Sequence, residues 1–317
     1  MIEVNDVTKR YGDAVAVDHL SFAVRPGMVT GFLGPNGAGK TTTMRMILGL
    51  DRPTSGSVTV HGRPYHDLPA PMHEVGALLD AKAIQRGRTA RQHLSWVARA
   101  GGLPASRVDE VLELVGLKEV AGRKTADFSL GMSQRLGIAT ALLGDPRVLL
   151  FDEPVNGLDP EGIRWIRSLL QRLAAEGRTV FLSSHLMSEM EETADHVIVI
   201  GRGRLIADTS IAEFTHRSTR SHVRVVSPRA ADLAPLLMRA GAAVTSADEA
   251  LTVTGMDAVQ IGSLAADYGL ALYELTPRRA SLEAAFMELT EGSQEYQAAT
   301  QGAVVEMARA LAGTETR

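Results

Sequence analysis

The stretch Gly34-Pro35-Asn36-Gly37-Ala38-Gly39-Lys40-Thr41-Thr42 carries glycines, a lysine and a threonine at the spacing G-x-x-x-x-G-K-[ST]. Glycines let a backbone close around an anion, and successive N–H groups at a helix start present positive charge to it. Lys40 has the reach for the β- and γ-phosphates of a nucleotide, and the Thr41 hydroxyl offers a ligand to Mg²⁺. The flanks agree with that chemistry. Met28–Leu33 (MVTGFL) predicts a buried strand into the loop, and Thr42–Leu48 (TTMRMIL) predicts the start of a helix out of it. Strand, glycine-rich turn and helix N-terminus together read as a nucleotide site.

A second group of chemically capable residues follows at the end of RVLLFDEP, where Asp152 and Glu153 close an apolar strand. Two carboxylates at a buried strand end are costly unless paired or bound to a cation. Opposite a phosphate cradle, Asp152 suits Mg²⁺ and Glu153 suits a hydrolytic water. The next predicted strand, RTVFLSSH, ends in His185 and is expected to neighbour the Asp152 strand. Ser129 and Gly131 open a helix in DFSLGMSQRLGIATALLGDP, a second place where a hydroxyl and N–H groups can meet phosphate. Taken alone, S-x-G before a helix reads as an ordinary cap. Tyr11 can stack on a purine, although by itself it reads as a half-buried strand end.

These residues need elements to hold them. Residues 2–33 alternate short apolar runs with turns and predict a small antiparallel sheet beside the nucleotide strand. Pro53–Gly62 reads as a turn and strand, and Val75–Asp80 (VGALLD) as a buried strand. Thr89 and Gln92 form a capping box ahead of one helix, Ser106 opens another, and residues 85–145 are mostly helical, inserted between two halves of an α/β core. Asn156–Pro160 turns into an amphipathic helix with Ile163, Ile166, Leu170 and Leu173 on one face. A hairpin over residues 196–208 and a helix to about His216 complete this part.

The whole chain has 317 residues, 45% hydrophobic and 22% charged, which suits roughly two globular domains at about 150 residues each. A net charge of −4 supplies no bulk attraction to nucleic acid, and the absence of cysteine excludes disulfides and thiolate metal sites. The N-terminus has no apolar h-region, so no secretory signal is expected, and no apolar run reaches the roughly 18–20 residues of a membrane helix. If the protein works at a membrane, another subunit must supply the span.

In this order the motifs of roughly residues 1–215 resemble the ATP-binding subunit of an ABC transporter. By that resemblance the Walker A loop is Gly34–Thr42, the Walker B strand Val148–Asp152 and the catalytic carboxylate Glu153. The signature falls on Phe128-Ser129-Leu130-Gly131-Met132, the D-loop on Asn156–Asp159, the switch histidine on His185 and the adenine-stacking aromatic on Tyr11. The resemblance implies a P-loop NTPase core of ABC type (α/β) with an antiparallel β-subdomain and a helical subdomain. It also implies ATP and Mg²⁺ as cofactors and a head-to-tail pair of copies. Ser129 and Gly131 of one copy then meet the ATP held by Gly34, Pro35, Asn36, Gly37, Ala38, Gly39, Lys40, Thr41 and Thr42 of the other, with Lys40, Glu153 and His185 as the catalytic groups. Leu130 and Met132 depart from the family's usual glycine and glutamine. Asp80 stands where the family's Q-loop glutamine usually does; Gln85 lies five positions late.

After a polar linker at 217–222 the pattern restarts as β-α-β-β-α-β over 223–290, a ferredoxin-like arrangement read as an accessory or dimer-stabilising α+β domain. Its final helix resembles the C-terminal extension of type 2, drug-exporting ABC subunits. Residues 291–317 read as a tail, helical along Val304, Val305, Ala308 and Leu311 or else disordered. The first domain is therefore 1–216. The expected function is ATP hydrolysis that powers a separate permease at the inner face of the membrane, for export of drugs or other hydrophobic compounds. The rivals are a soluble ABC ATPase acting on ribosomes or nucleic acid, and a nucleotide-dependent switch without turnover.

Asp offers Mg²⁺ an oxygen but no amide donor. If Asp80 takes the metal-side role of the glutamine, Asp80→Ala and Asp80→Gln shift the Mg²⁺ dependence of hydrolysis; an unchanged dependence in both overturns the assignment.

Overall fold

A computed structural model describes residues 1–290 except 82, 217–220, 248–249 and 279, so the expected tail face of Val304, Val305, Ala308 and Leu311 lies outside the described residues. The chain divides into two units, one from Met1 to Ile211 and one from Ala212 onward.

The first unit runs β1 (Ile2–Tyr11), β2 (Ala14–Val24), β3 (Met28–Leu33), α1 (Lys40–Ile47), β4 (Ser55–Val60), α2 (Pro71–Glu74) and β5 (Val75–Leu78). It continues with α3 (Ala90–Ala100), α4 (Ser106–Leu114), α5 (Leu130–Leu142), β6 (Val148–Asp152), α6 (Pro160–Ala175) and β7 (Thr179–Ser184). Then come α7 (Met187–Thr193), β8 (His196–Gly201) and β9 (Arg204–Ser210), with α8 (Ile211–His216) at the boundary. Strands β5, β6, β7, β3 and β8 lie parallel in that order, and β9 pairs antiparallel at the edge. Their composition follows from that position: Val148–Phe151 and Val180–Phe181 are wholly buried, as expected of strands covered on both faces. The smaller sheet, in the order β2-β1-β4, is antiparallel. Phe22 of β2 joins it to the larger one by packing on Phe32 of β3 and Phe181 of β7 in tilted pairs, with ring centroids 5.5 and 5.8 Å away.

The helical segment is opened by its predicted box: Thr89 accepts from the Gln92 N–H while Gln92 accepts from the Thr89 N–H. Ser106 is the first residue of α4, but its side chain caps nothing. Helix α5 returns to the core across β5, and a glycine makes that approach possible. A Cβ on Gly76 would stand 2.0 Å from the carbonyl oxygen of Ala141.

Several expected boundaries moved for physical reasons. α1 begins at Lys40 rather than Thr42, because Gly39 at φ 103° turns the chain straight into the helix. β5 ends at Leu78, which leaves Asp80 outside the strand and exposed. On α6, Ile163 is only half-buried, and Leu169 and Ala174 join Ile166, Leu170 and Leu173 on the covered face.

The second unit contains β10 (His222–Val226), α9 (Ala230–Arg239), β11 (Ala243–Ala247), β12 (Ala250–Thr254), α10 (Ala258–Asp267), β13 (Glu274–Arg278) and α11 (Leu282–Thr290). All neighbours in the order β11-β12-β10-β13 are antiparallel, the ferredoxin-like topology, around Val223, Val225, Leu233, Leu237, Val253 and Ile261. Strand β10 starts at His222, one residue inside the stretch read as linker, because His222 pairs with Arg278. The last strand starts at Glu274 rather than Leu270: the Leu270 N–H closes the end of α10 on Ala265, and Tyr273 is exposed.

Gly76→Ala is expected to push α5 off β5 and lower the stability of the first unit by about 1–3 kcal/mol. The corresponding drop of several degrees is measured as the thermal midpoint; an unchanged midpoint means the interface yields without cost.

Candidate nucleotide site

The loop between β3 and α1 is shaped by close contacts as much as by its residues' chemistry. Gly39 adopts a left-handed backbone, and a Cβ there would lie 2.6 Å from the carbonyl oxygen of Ala16. No other residue fits that turn without moving β2. Inside the loop, Lys40 is buried and its Nζ donates to the carbonyl oxygens of Gly34 at 2.7 Å and Pro35 at 3.2 Å. Burial draws the ammonium pKa below its ordinary value, while Glu153 and Asp152 pull it back upward. Its cation is therefore held in the loop with two carboxylates close enough to act on it.

Those carboxylates arrive on β6. Asp152 Oδ2 accepts from the Thr41 hydroxyl at 2.6 Å, and Asp152 Oδ1 accepts from the hydroxyl of Ser183. Ser183 is wholly buried and lies opposite Asp152 in the β6–β7 register. The same hydroxyl oxygen accepts from the Glu153 N–H at 3.0 Å. Glu153 has φ 50°, an uncommon conformation for a side chain of its size, and its Oε2 stands 2.8 Å from His185 Nδ1. Asn36, Gly37, Lys40, Thr41, Asp152 and Glu153 line one hollow of about 300 Å³.

Tyr11, Asp80, Ser129 and Gly131 are not among the residues lining this hollow. Tyr11 is half-exposed, and its hydroxyl donates to Asp51 Oδ2 at 3.0 Å. Arg45 Nε donates to the same oxygen at 2.7 Å. Burial and the Asp51 bond raise the phenol's pKa above its ordinary value. Leu79, rather than Asp80, is at the wall of the hollow. Ser129 caps α5 by accepting from the Met132 N–H at 3.1 Å, and Ser129 and Gly131 are not among the residues lining this chain's own hollow. Asp51 and Ser183 carry no local motif in the sequence. Ser183 reads there as one of two serines in a strand, and only its register with Asp152 distinguishes it.

A model of the ABC transporter family matches residues 17–156, and a model described as a domain of unknown function matches 221–283. The uncharacterized ABC transporter ATP-binding protein YdbJ of Bacillus subtilis (strain 168) is 33% identical over 299 residues, 93% of this chain and 97% of that protein. The chain belongs to the ABC transporter ATP-binding proteins. This ABC protein is also 43% identical over 223 residues to the bacitracin transport ATP-binding protein BcrA of Bacillus licheniformis, covering 69% of the chain and 73% of the relative. Among solved structures it resembles the dimeric, post-hydrolysis state of the ATP-binding cassette MJ0796 bound to ADP and Pi, with TM-score 0.61 and 25% identity over 67% of this chain and 99% of that one. It is accordingly an ATPase subunit, and no helix among its described residues is long and apolar enough to cross a membrane.

The donor set fits a magnesium nucleotide. The hollow brings Thr41 and Asp152 together as two hard oxygen donors, the type Mg²⁺ prefers.

Ser183→Ala removes a donor to Asp152 and an acceptor for the Glu153 N–H together. It is expected to cost the ABC subunit about 1–3 kcal/mol, measured as a shift of the urea midpoint. An unshifted midpoint means that neither bond stabilises the fold.

Proposed function

We propose that this ABC ATPase powers a separate integral-membrane permease from the cytoplasmic face, exporting drugs or other hydrophobic compounds, with each ATP enclosed between two copies. The name of BcrA, a bacitracin transport protein, supports this substrate class. The observation that carries the hydrolytic reading is the run of contacts from Thr41 through Asp152, Ser183 and Glu153 to His185, placed against the Lys40 loop.

In this reading Lys40 and the loop N–H groups of Gly37 and Gly39 hold the β- and γ-phosphates. Thr41 and Asp152 would hold Mg²⁺, which would offset the negative charge of the phosphates. The Glu153 carboxylate orients the attacking water and accepts its proton, and His185 at 2.8 Å fixes that carboxylate and presents its other nitrogen to the γ-phosphate. Tyr11 stacks on the adenine from the edge of the loop. Ser129 and Gly131, outside their own chain's hollow, serve the nucleotide held by the second copy. Asp80, next to Leu79, takes the metal-side role of the Q-loop glutamine.

Glu153→Gln is expected to lower steady-state ATP hydrolysis about a hundredfold or more while ATP binding persists. Equal rates in the variant and the parent protein favour a nucleotide switch. Purification from native membranes should retain an integral-membrane subunit; recovery of ribosomes in its place favours the soluble alternative.

A further inference from the structure

The backbone of Glu153 is held from two sides, and the proposed mechanism uses only the carboxylate. Ser183 binds its N–H. Its carbonyl oxygen accepts from the Asn156 N–H at 3.2 Å and from Nε2 of Gln134 at 3.0 Å. Gln134 belongs to α5, one turn beyond Ser129, and is 4% exposed. A carbonyl can only accept, so the amide must present its nitrogen. The other end, Oε1, is buried and makes no hydrogen bond among the described residues. A buried amide carrying an unpartnered oxygen is a costly way to fill space, since leucine or methionine would pack there without that cost. The bond it does make reaches the residue with the left-handed backbone, a conformation that persists only where its surroundings hold it.

Neighbouring contacts join the same two segments. The Leu130 side chain lies over Gly157 so closely that a Cβ there would be 2.2 Å from Leu130 Cδ2. One residue beyond Gln134, the Arg135 guanidinium stacks 4.5 Å from the centroid of Trp165 on α6. Helix α5 is thus fastened to the segment 153–165 at three successive points, of which Gln134 alone touches Glu153.

We infer that Gln134 is a positioning residue for the hydrolytic carboxylate: its amide fixes the Glu153 backbone to α5, so that the helix facing the second copy's nucleotide and the carboxylate facing this copy's own nucleotide move as one piece. The inference rests on the reading of Glu153 as the water-orienting group. Gln134→Met keeps the length of the side chain and removes the donor; Gln134→Glu keeps its shape and, ionised, cannot donate.

The expected result is a fall in kcat of about tenfold in both variants, with KM for ATP and the affinity for a fluorescent ATP analogue within about twofold of the parent. In the Glu153→Gln background, Gln134→Met should add less than about a twofold further loss, because the carboxylate it positions is already gone. An unchanged kcat, a loss that multiplies in full with that of Glu153→Gln, or failure of both variants to fold overturns the positioning role. Wild-type hydrolysis by Glu153→Gln alone overturns instead the reading of Glu153 itself.

Discussion

Two carboxylates at the end of a buried parallel strand impose the constraint on which this structure depends. Asp152 and Glu153 leave β6 where Val148–Phe151 are wholly covered, so their polar groups need partners that the interior must supply. Ser183 supplies two of them with one hydroxyl, donating to Asp152 and accepting from the Glu153 N–H. This arrangement exists only because β6 and β7 are adjacent and in the register that sets Asp152 opposite Ser183. A shift by one residue would turn that hydroxyl to the other face of the sheet. The sheet order β6-β7-β3 then brings both carboxylates to the loop that follows β3, where Thr41 meets Asp152.

The second constraint is closeness. Gly39 against Ala16 and Gly76 against Ala141 mark places where a single methyl group would overlap main chain. The first brings the phosphate loop down onto β2; the second brings α5 down onto β5. Because α5 is held this near the core, Gln134 can reach the carbonyl of Glu153 and Leu130 can cover Gly157. The replacement of the family's usual glycine by Leu130 has a visible consequence, since its side chain packs on the turn after Glu153 within the same chain.

Much of the fold was legible along the chain. MVTGFL predicted β3 to the residue, the box of Thr89 and Gln92 marked the start of α3, and the restarted pattern after His222 foretold the β-α-β-β-α-β order of the second unit. These features depend on neighbours in sequence: alternation, caps and turns. The boundaries that differ from the sequence pattern depend on distant groups. β5 stopped at Leu78, where its pairing with Phe151 ends, and β13 started late because Leu270 closes α10. On α6 the helical period alone could not rank Ile163 against Leu169, because burial is decided by what packs opposite.

The same division runs through the site. A glycine-rich loop with Lys40 and Thr41, a pair of carboxylates, a histidine and a helix-opening serine are evident along the chain, because each is a local pattern tied to a predicted strand end or helix start. The order of these motifs also carries the resemblance to an ABC ATPase. Which of them meet depends on how the strands and helices pack. Lys40, Thr41, Asp152 and Glu153 share one hollow, Ser129 and Gly131 do not line it, and Leu79 rather than Asp80 forms its wall. Ser183 and Gln134 were silent as letters, since a strand serine and a helix glutamine are common. Their importance arises from strand register and helix approach, which bring together residues 31 and 19 positions apart in the chain.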